Sequence, residues 1–179
     1  ILFIVYLNSI YKFIDGEAII TKNKTITYGE LISFSKLIKN YIPKRSLVLL
    51  LCKNNLGSLS GYVSFVLNKI IPILLDSSLD LEILKKFIKI YKPNYIWLPE
   101  ELVEKFNFKN ILISNNGYSL ILFENHSLHN LSPSLALLLT TSGSTGSPKL
   151  VRLSYKNLDH NTISISKYLS INKSDRPIT

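Results

Sequence analysis

SLVLLLCKNNLGSLSGYVSFVLNKIIPILL, residues 46–75, reads as strand, helix, strand, and decides the fold class. Residues 46–51 and 70–75 are continuous apolar runs of strand length, while residues 56–68 bring Leu59, Val63, Val66 and Leu67 to one side at helical spacing. A strand that is apolar at every position, rather than at alternate ones, is buried on both faces. That condition belongs to a parallel sheet with helices above and below. The predicted fold class is therefore α/β, a parallel sheet with flanking helices and right-handed crossovers.

The same rhythm extends in both directions. Upstream, residues 17–22 and 25–27 read as two short strands around an Asn23-Lys24 turn. Thr27 and Glu30 have the spacing of a capping box, and Leu31, Phe34, Ile38 and Tyr41 recur at helical intervals until Pro43. Downstream, Asp76, Ser77 and Ser78 offer N-caps to a helix carrying Leu81, Leu84, Ile88 and Tyr91, which ends before Pro93. A strand over 95–98, a short helix over 101–106 and a strand over 110–113 repeat the unit. After Asn115-Asn116-Gly117 the pattern changes: residues 118–123 read as an extra strand and 125–133 as a polar connector. Residues 135–140 form another strand. Residues 150–153 are short and apolar except for Arg152, and Ser154 is placed to cap a helix with Leu158, Thr162, Ile165 and Leu169 on one face.

The chain has 179 residues and is 46% hydrophobic, enough for a sizeable core. It contains no methionine and stops at Pro177-Ile178-Thr179 with no closing element, so residues 1–179 are read as part of a longer protein. The net charge of +9 points to an anionic partner, but the lysines are spread singly, with Lys85-Lys86 the one adjacent lysine pair. A solvated surface fits that spacing better than a nucleic-acid patch. The single cysteine, Cys52, has no disulfide partner and reads as a small buried hydrophobe. No apolar run approaches the ~18 residues of a membrane span. With no signal-peptide pattern, a cytoplasmic setting is expected. His126, His129 and His160 lack neighbours at metal-ligand spacing, Glu100, Glu101 and Glu104 read as a solvated helix start, and Trp97 as packing.

Chemistry concentrates in residues 140–149, TTSGSTGSPK. Six hydroxyls, two glycines and a closing lysine make a loop suited to an anion: glycines let backbone N–H groups turn inward, hydroxyls add donors, and the ammonium adds charge. Polyphosphate is the expected guest. A Walker-type loop is excluded, because Pro148 stands where the second glycine must be, Leu150 where the metal-binding hydroxyl must be, and a strand rather than a helix follows Lys149. No dinucleotide-binding Gly-x-Gly-x-x-Gly follows the strand at 46–51. An exposed Ser/Gly linker is the bland alternative, and the apolar strands on either side weigh against it.

TTSGSTGSPK closely resembles the phosphate-binding motif of the AMP-forming adenylating enzymes, the superfamily of acyl-CoA synthetases, nonribosomal-peptide adenylation domains and luciferases. Thr25-Ile26-Thr27-Tyr28-Gly29-Glu30-Leu31 resembles that family's early T-Y-x-E-L segment, and residues 47–55, 71–76, 92–96 and 154–158 match in order. The resemblance covers about 17–176. It departs at Leu150, where many members have glycine.

The resemblance implies a fold, the first α/β part of the family's large N-terminal domain, and a reaction. A carboxylate attacks the α-phosphorus of Mg²⁺-bound ATP, pyrophosphate leaves, and a thiol of coenzyme A or of a carrier protein captures the acyl-adenylate. It implies that Thr141, Ser142, Gly143, Ser144, Thr145, Gly146, Ser147 and Lys149 close over the β- and γ-phosphates, that Lys149 is the catalytic cation, and that Thr145 touches the metal. The remaining family segments would lie downstream, so the 179 residues alone are expected to be inactive. The competing readings are a truncated or degenerate ATP-binding or anionic-partner-binding module without turnover, and a nucleic-acid binder, for which no motif is present.

Overall fold

The computed structural model describes residues 10–123, 128–140, 149–172 and 175. A 3-10 turn at Ile10–Lys12 leads into an antiparallel hairpin of β1 (Glu17–Ile20) and β2 (Thr25–Thr27). Then follow α1 (Tyr28–Lys39), β3 (Leu47–Cys52), α2 (Leu56–Leu67), β4 (Ile71–Asp76), α3 (Leu81–Tyr91), β5 (Tyr95–Pro99), α4 (Glu100–Lys105), β6 (Ile111–Asn115), β7 (Tyr118–Leu122), β8 (Leu135–Thr140), β9 (Leu150–Ser154) and α5 (Tyr155–Tyr168).

Strands β3 to β9 form one sheet in the order β6-β7-β5-β3-β4-β8-β9. Its centre, β5-β3-β4-β8, is parallel, as the continuous apolar runs predict. Two antiparallel strands modify the expected all-parallel sheet. Strand β7 inserts between β5 and β6, and β9 folds back on β8 as the far edge. The first arises from Asn116-Gly117: both residues have positive φ, +50° and +75°, and Asn115 pairs with Tyr118 across them. That two-residue turn returns the chain at once, so β7 takes the place beside β5 that a crossover would have given to β6.

Both faces of the central strands are buried. Leu47, Leu49 and Leu51 pack with Leu84 and Phe87 of α3 and Leu102 and Val103 of α4. Val48 and Leu50 pack on the other face with Phe34 and Ile38 of α1 and Phe65 of α2. The chain moves one way along the sheet through α2 and the other way through α3. Right-handed crossovers in opposite directions put those helices on opposite faces.

The Thr27–Glu30 capping box forms as predicted, Thr27 Oγ1 accepting from Glu30 N at 3.1 Å and Glu30 Oε2 accepting from Thr27 N at 2.8 Å. Helix α1 ends at Lys39, short of the expected stop at Pro43, with Tyr41 at the surface. The expected caps of α3 are corrected. Asp80, not residues 76–78, caps it, because the Asp76 carboxylate is already occupied by Ser78 N and Ser78 Oγ.

Helix α2 packs tightly on the sheet, and through residues that hydrophobic periodicity passes over. Gly57, Ser60, Gly61 and Ser64 are buried. Trp97 fills the space they leave, fully buried, with Nε1 donating to Gly57 O at 2.9 Å and its ring packed on Phe34 and Tyr118. Trp97 is a packing residue. Asn68 ties the α2 end to α1, its Nδ2 donating to Ser35 O at 2.7 Å and to Ser35 Oγ at 3.0 Å.

Candidate functional site

The parallel strands all end on one edge of the sheet, where an α/β fold of this kind binds ligands. The register aligns Cys52 with Asp76, and Leu74 with Leu139, so the ends of β3, β4 and β8 lie side by side. On the outer side β8 pairs with β9, and Thr140 and Leu150 are the last rung before the loop. Lys149 therefore stands one residue beyond that rung, with an exposed side chain, at the carboxyl edge of the parallel strands. The strand that the sequence places after Lys149 is present, which removes the helix that a Walker lysine requires.

Thr141, Ser142, Gly143, Ser144, Thr145, Gly146 and Ser147 lie outside the described residues. So does His126. Of the predicted phosphate-binding residues, Lys149 is the one whose position is described, next to the Thr140–Leu150 rung.

Further polar groups share this edge. Ser77 N donates to Cys52 O at 3.1 Å and closes the end of β3 against the turn after β4. Hydrogen bonds from the Ser78 side chain and backbone hold the exposed Asp76 carboxyl below its usual pKa. Lys53 pairs with Glu101, and the hydrogen bond from its ammonium lowers the Glu101 pKa. This cross-link between the end of β3 and the start of α4 is a partner that sequence reasoning missed, since it joins residues 48 apart with no local signal. Cys52 is part-buried, and desolvation pushes its thiol up to about 11, so it is protonated at neutral pH and a poor nucleophile. Among the described residues no group of three or more His, Cys, Asp or Glu converges as a metal site. His129 Nε2 donates to Lys92 O at 2.9 Å, and His160 is exposed on α5.

The seven-stranded, mostly parallel sheet and its flanking helices have the fold of part of the AMP-forming adenylating-enzyme domain. Among solved structures the chain matches O-succinylbenzoate coenzyme A synthetase (MenE) from Bacillus subtilis, in complex with AMP, at TM-score 0.69 and 19% identity over 96% of this chain and 47% of that one. It matches VinN at TM-score 0.73 and 16% identity, over 96% of this chain and 50% of that one. It matches apo MatB from Rhodopseudomonas palustris at 0.68 and 19%, over 94% of this chain and 39% of that one. All three are AMP-forming adenylating enzymes. At these identities the likeness is one of fold, and the chain spans half or less of each of these structures. Comparison with protein-family models and with curated proteins gives no match. No helix among the described residues is long and apolar enough to cross a membrane.

Proposed function

We propose that residues 1–179 are the N-terminal part of the AMP-binding domain of an acid–thiol ligase, which activates a carboxylic acid with ATP and passes the acyl group to a thiol. One observation carries the reading: the hydroxyl- and glycine-rich segment is anchored by the Thr140–Leu150 rung at the carboxyl edge of a sheet that has the adenylating-enzyme fold.

In this reading the substrate carboxylate attacks the α-phosphorus and pyrophosphate is the leaving group. The charge that grows on it needs donors already in place. Backbone and hydroxyl groups of Thr141, Ser142, Gly143, Ser144, Thr145, Gly146 and Ser147 supply them, and the Lys149 ammonium offsets the charge. Lys149 suits the role because its exposed side chain has no ion-pair partner among the described residues. MenE has been solved in complex with ATP and magnesium ion. Here magnesium would arrive on the phosphates, with the Thr145 hydroxyl as the protein ligand, a mode that suits a cation that keeps most of its waters. It would neutralise phosphate charge.

The acceptor is coenzyme A or a carrier-protein thiol. A MenE variant has been solved with a CoA-containing product analogue, which favours the first for that enzyme. The carboxylic acid pocket and the rest of the site would lie outside these residues, as the share of the solved structures that the chain spans supports. The test is ATP–pyrophosphate exchange by the full-length protein against a panel of carboxylic acids, with Lys149→Ala alongside. No exchange with any acid, or full exchange in the variant, overturns the reading.

A further inference from the structure

Arg45 lies at the opposite edge of the sheet from the loop, in the turn before β3. Its guanidinium reaches across to the start of β8, Nη1 donating to Leu135 O at 2.9 Å and Nη2 donating to Ser132 O. Its own N–H donates to Lys69 O at 3.0 Å, just before β4. The first residue of α5 enters the same knot, Tyr155 N donating to Ser134 O at 3.0 Å. One side chain thus joins the beginnings of β3 and β8, and the turn it holds carries the exit of β9.

Strand β8 needs such an anchor. Its ladder to the parallel core consists of Ile73–Leu138 and Leu74–Leu139, both in its second half, whereas β3 and β4 share six pairs. Its first half is irregular, with a bulge between Leu135 and Leu137 against the edge strand β9. The Arg45 bonds fall where the ladder is missing. The residue is also held at φ +70°, a conformation that suits glycine and costs other residues about 1 kcal/mol. A glycine would relieve that strain but would leave the two carbonyls unclamped.

We propose that Arg45 is a positioning residue of the nucleotide site: by clamping the start of β8 it sets how far that strand, and with it Thr140 and Lys149, projects at the carboxyl edge. A strand is stiff along its axis, so an axial slip at Leu135 is passed to Thr140, about 17 Å away at ~3.3 Å per residue. The inference rests on the reading of the loop as a pyrophosphate-binding segment.

The test uses full-length protein with Arg45→Gly, which removes clamp and strain together, Arg45→Lys, which can serve one carbonyl, and Thr27→Ala, which weakens α1 far from the clamp. Amide hydrogen exchange and MgATP affinity by calorimetry are read on each. In Arg45→Gly, amides of β8 and β9 exchange at least about tenfold faster while those of β3 are unchanged, and the MgATP Kd rises about tenfold, the equivalent of one charge-assisted hydrogen bond. Arg45→Lys falls between, and Thr27→Ala leaves the Kd as in wild type. Wild-type affinity in Arg45→Gly overturns the positioning role, as does unchanged exchange in β8 and β9. A wild-type protein that binds no MgATP overturns the functional reading and the positioning role with it; the exchange data then decide separately whether the clamp exists.

Discussion

Thr140 and Leu150 face each other as the last rung of the β8–β9 ladder. Lys149 is thereby fixed within one residue of the sheet. A strand, not the helix that a Walker lysine opens, follows Lys149. The rung stands on the edge where β3 ends at Cys52 and β4 at Asp76.

The contact between α2 and the sheet leaves no room for a methyl group. A Cβ at Gly61 would stand 2.4 Å from Trp97 Nε1, and one at Gly57 would stand 2.3 Å from Tyr118 Cδ2 and 2.6 Å from Asn116 O. Trp97 and Tyr118 are fully buried and cannot swing away. Gly61→Ala and Gly57→Ala are each expected to cost about 2–3 kcal/mol, the upper part of the overpacking range. Urea unfolding checks this, and a midpoint equal to wild type contradicts it.

Gly117 offers the opposite case. No atom lies within 4 Å of a Cβ built there, but its φ is +75°. Gly117→Ala therefore isolates backbone strain, and about 1 kcal/mol of destabilisation is expected. The same urea titration should rank it below Gly61→Ala. The reverse order would mean that the β6–β7 turn does not require this conformation.

Cys52 predicts an alkaline slope. Its thiol pKa is raised from 9.0 to about 11 by burial, so above pH 9 the unfolded chain loses this proton while the folded chain keeps it. Stability from this group is complete below pH 9 and is lost as pH rises through 11, with a slope of at most about 1.4 kcal/mol per pH unit. The partly buried Tyr62 and the buried Tyr118, both pushed up to about 12 from 10.0 by desolvation, join only above pH 10. Between pH 9 and 10 the fall in unfolding free energy should be shallower in Cys52→Ala than in wild type. Equal slopes would contradict the burial of the thiol.

Much of this architecture is legible locally. Residues 135–139, 47–52 and 71–75 are continuous apolar runs, and the structure buries them on both faces, wholly or in part. The Ser154 cap is equally local, with Ser154 Oγ accepting from Asn157 N at 3.1 Å. What escaped is of two kinds. The insertion of β7 depends on which strands become neighbours, and the Asn116-Gly117 turn states only that the chain reverses. The α2 face escaped because a search for large apolar residues passes over Gly57, Gly61 and Ser64, which are buried because they are small. Arg45 and Lys53 find their partners across 90 and 48 residues, beyond any periodic signal. For the site, the residue types of 140–149 are what the proposed anion loop rests on, while the place of its flanking residues Thr140 and Leu150 on the sheet edge emerges only from the β8–β9 pairing.

The central claim is that this segment holds the leaving pyrophosphate of ATP, and ATP–pyrophosphate exchange measures that step without requiring the acceptor thiol. In full-length protein supplied with a free carboxylic acid that it adenylates, Lys149→Ala should lower exchange by about 10²-fold, the typical cost of removing one preorganised electrostatic donor. Its urea midpoint should stay near wild type, since the Lys149 side chain is exposed. Exchange in Lys149→Ala equal to that of wild type would contradict the account.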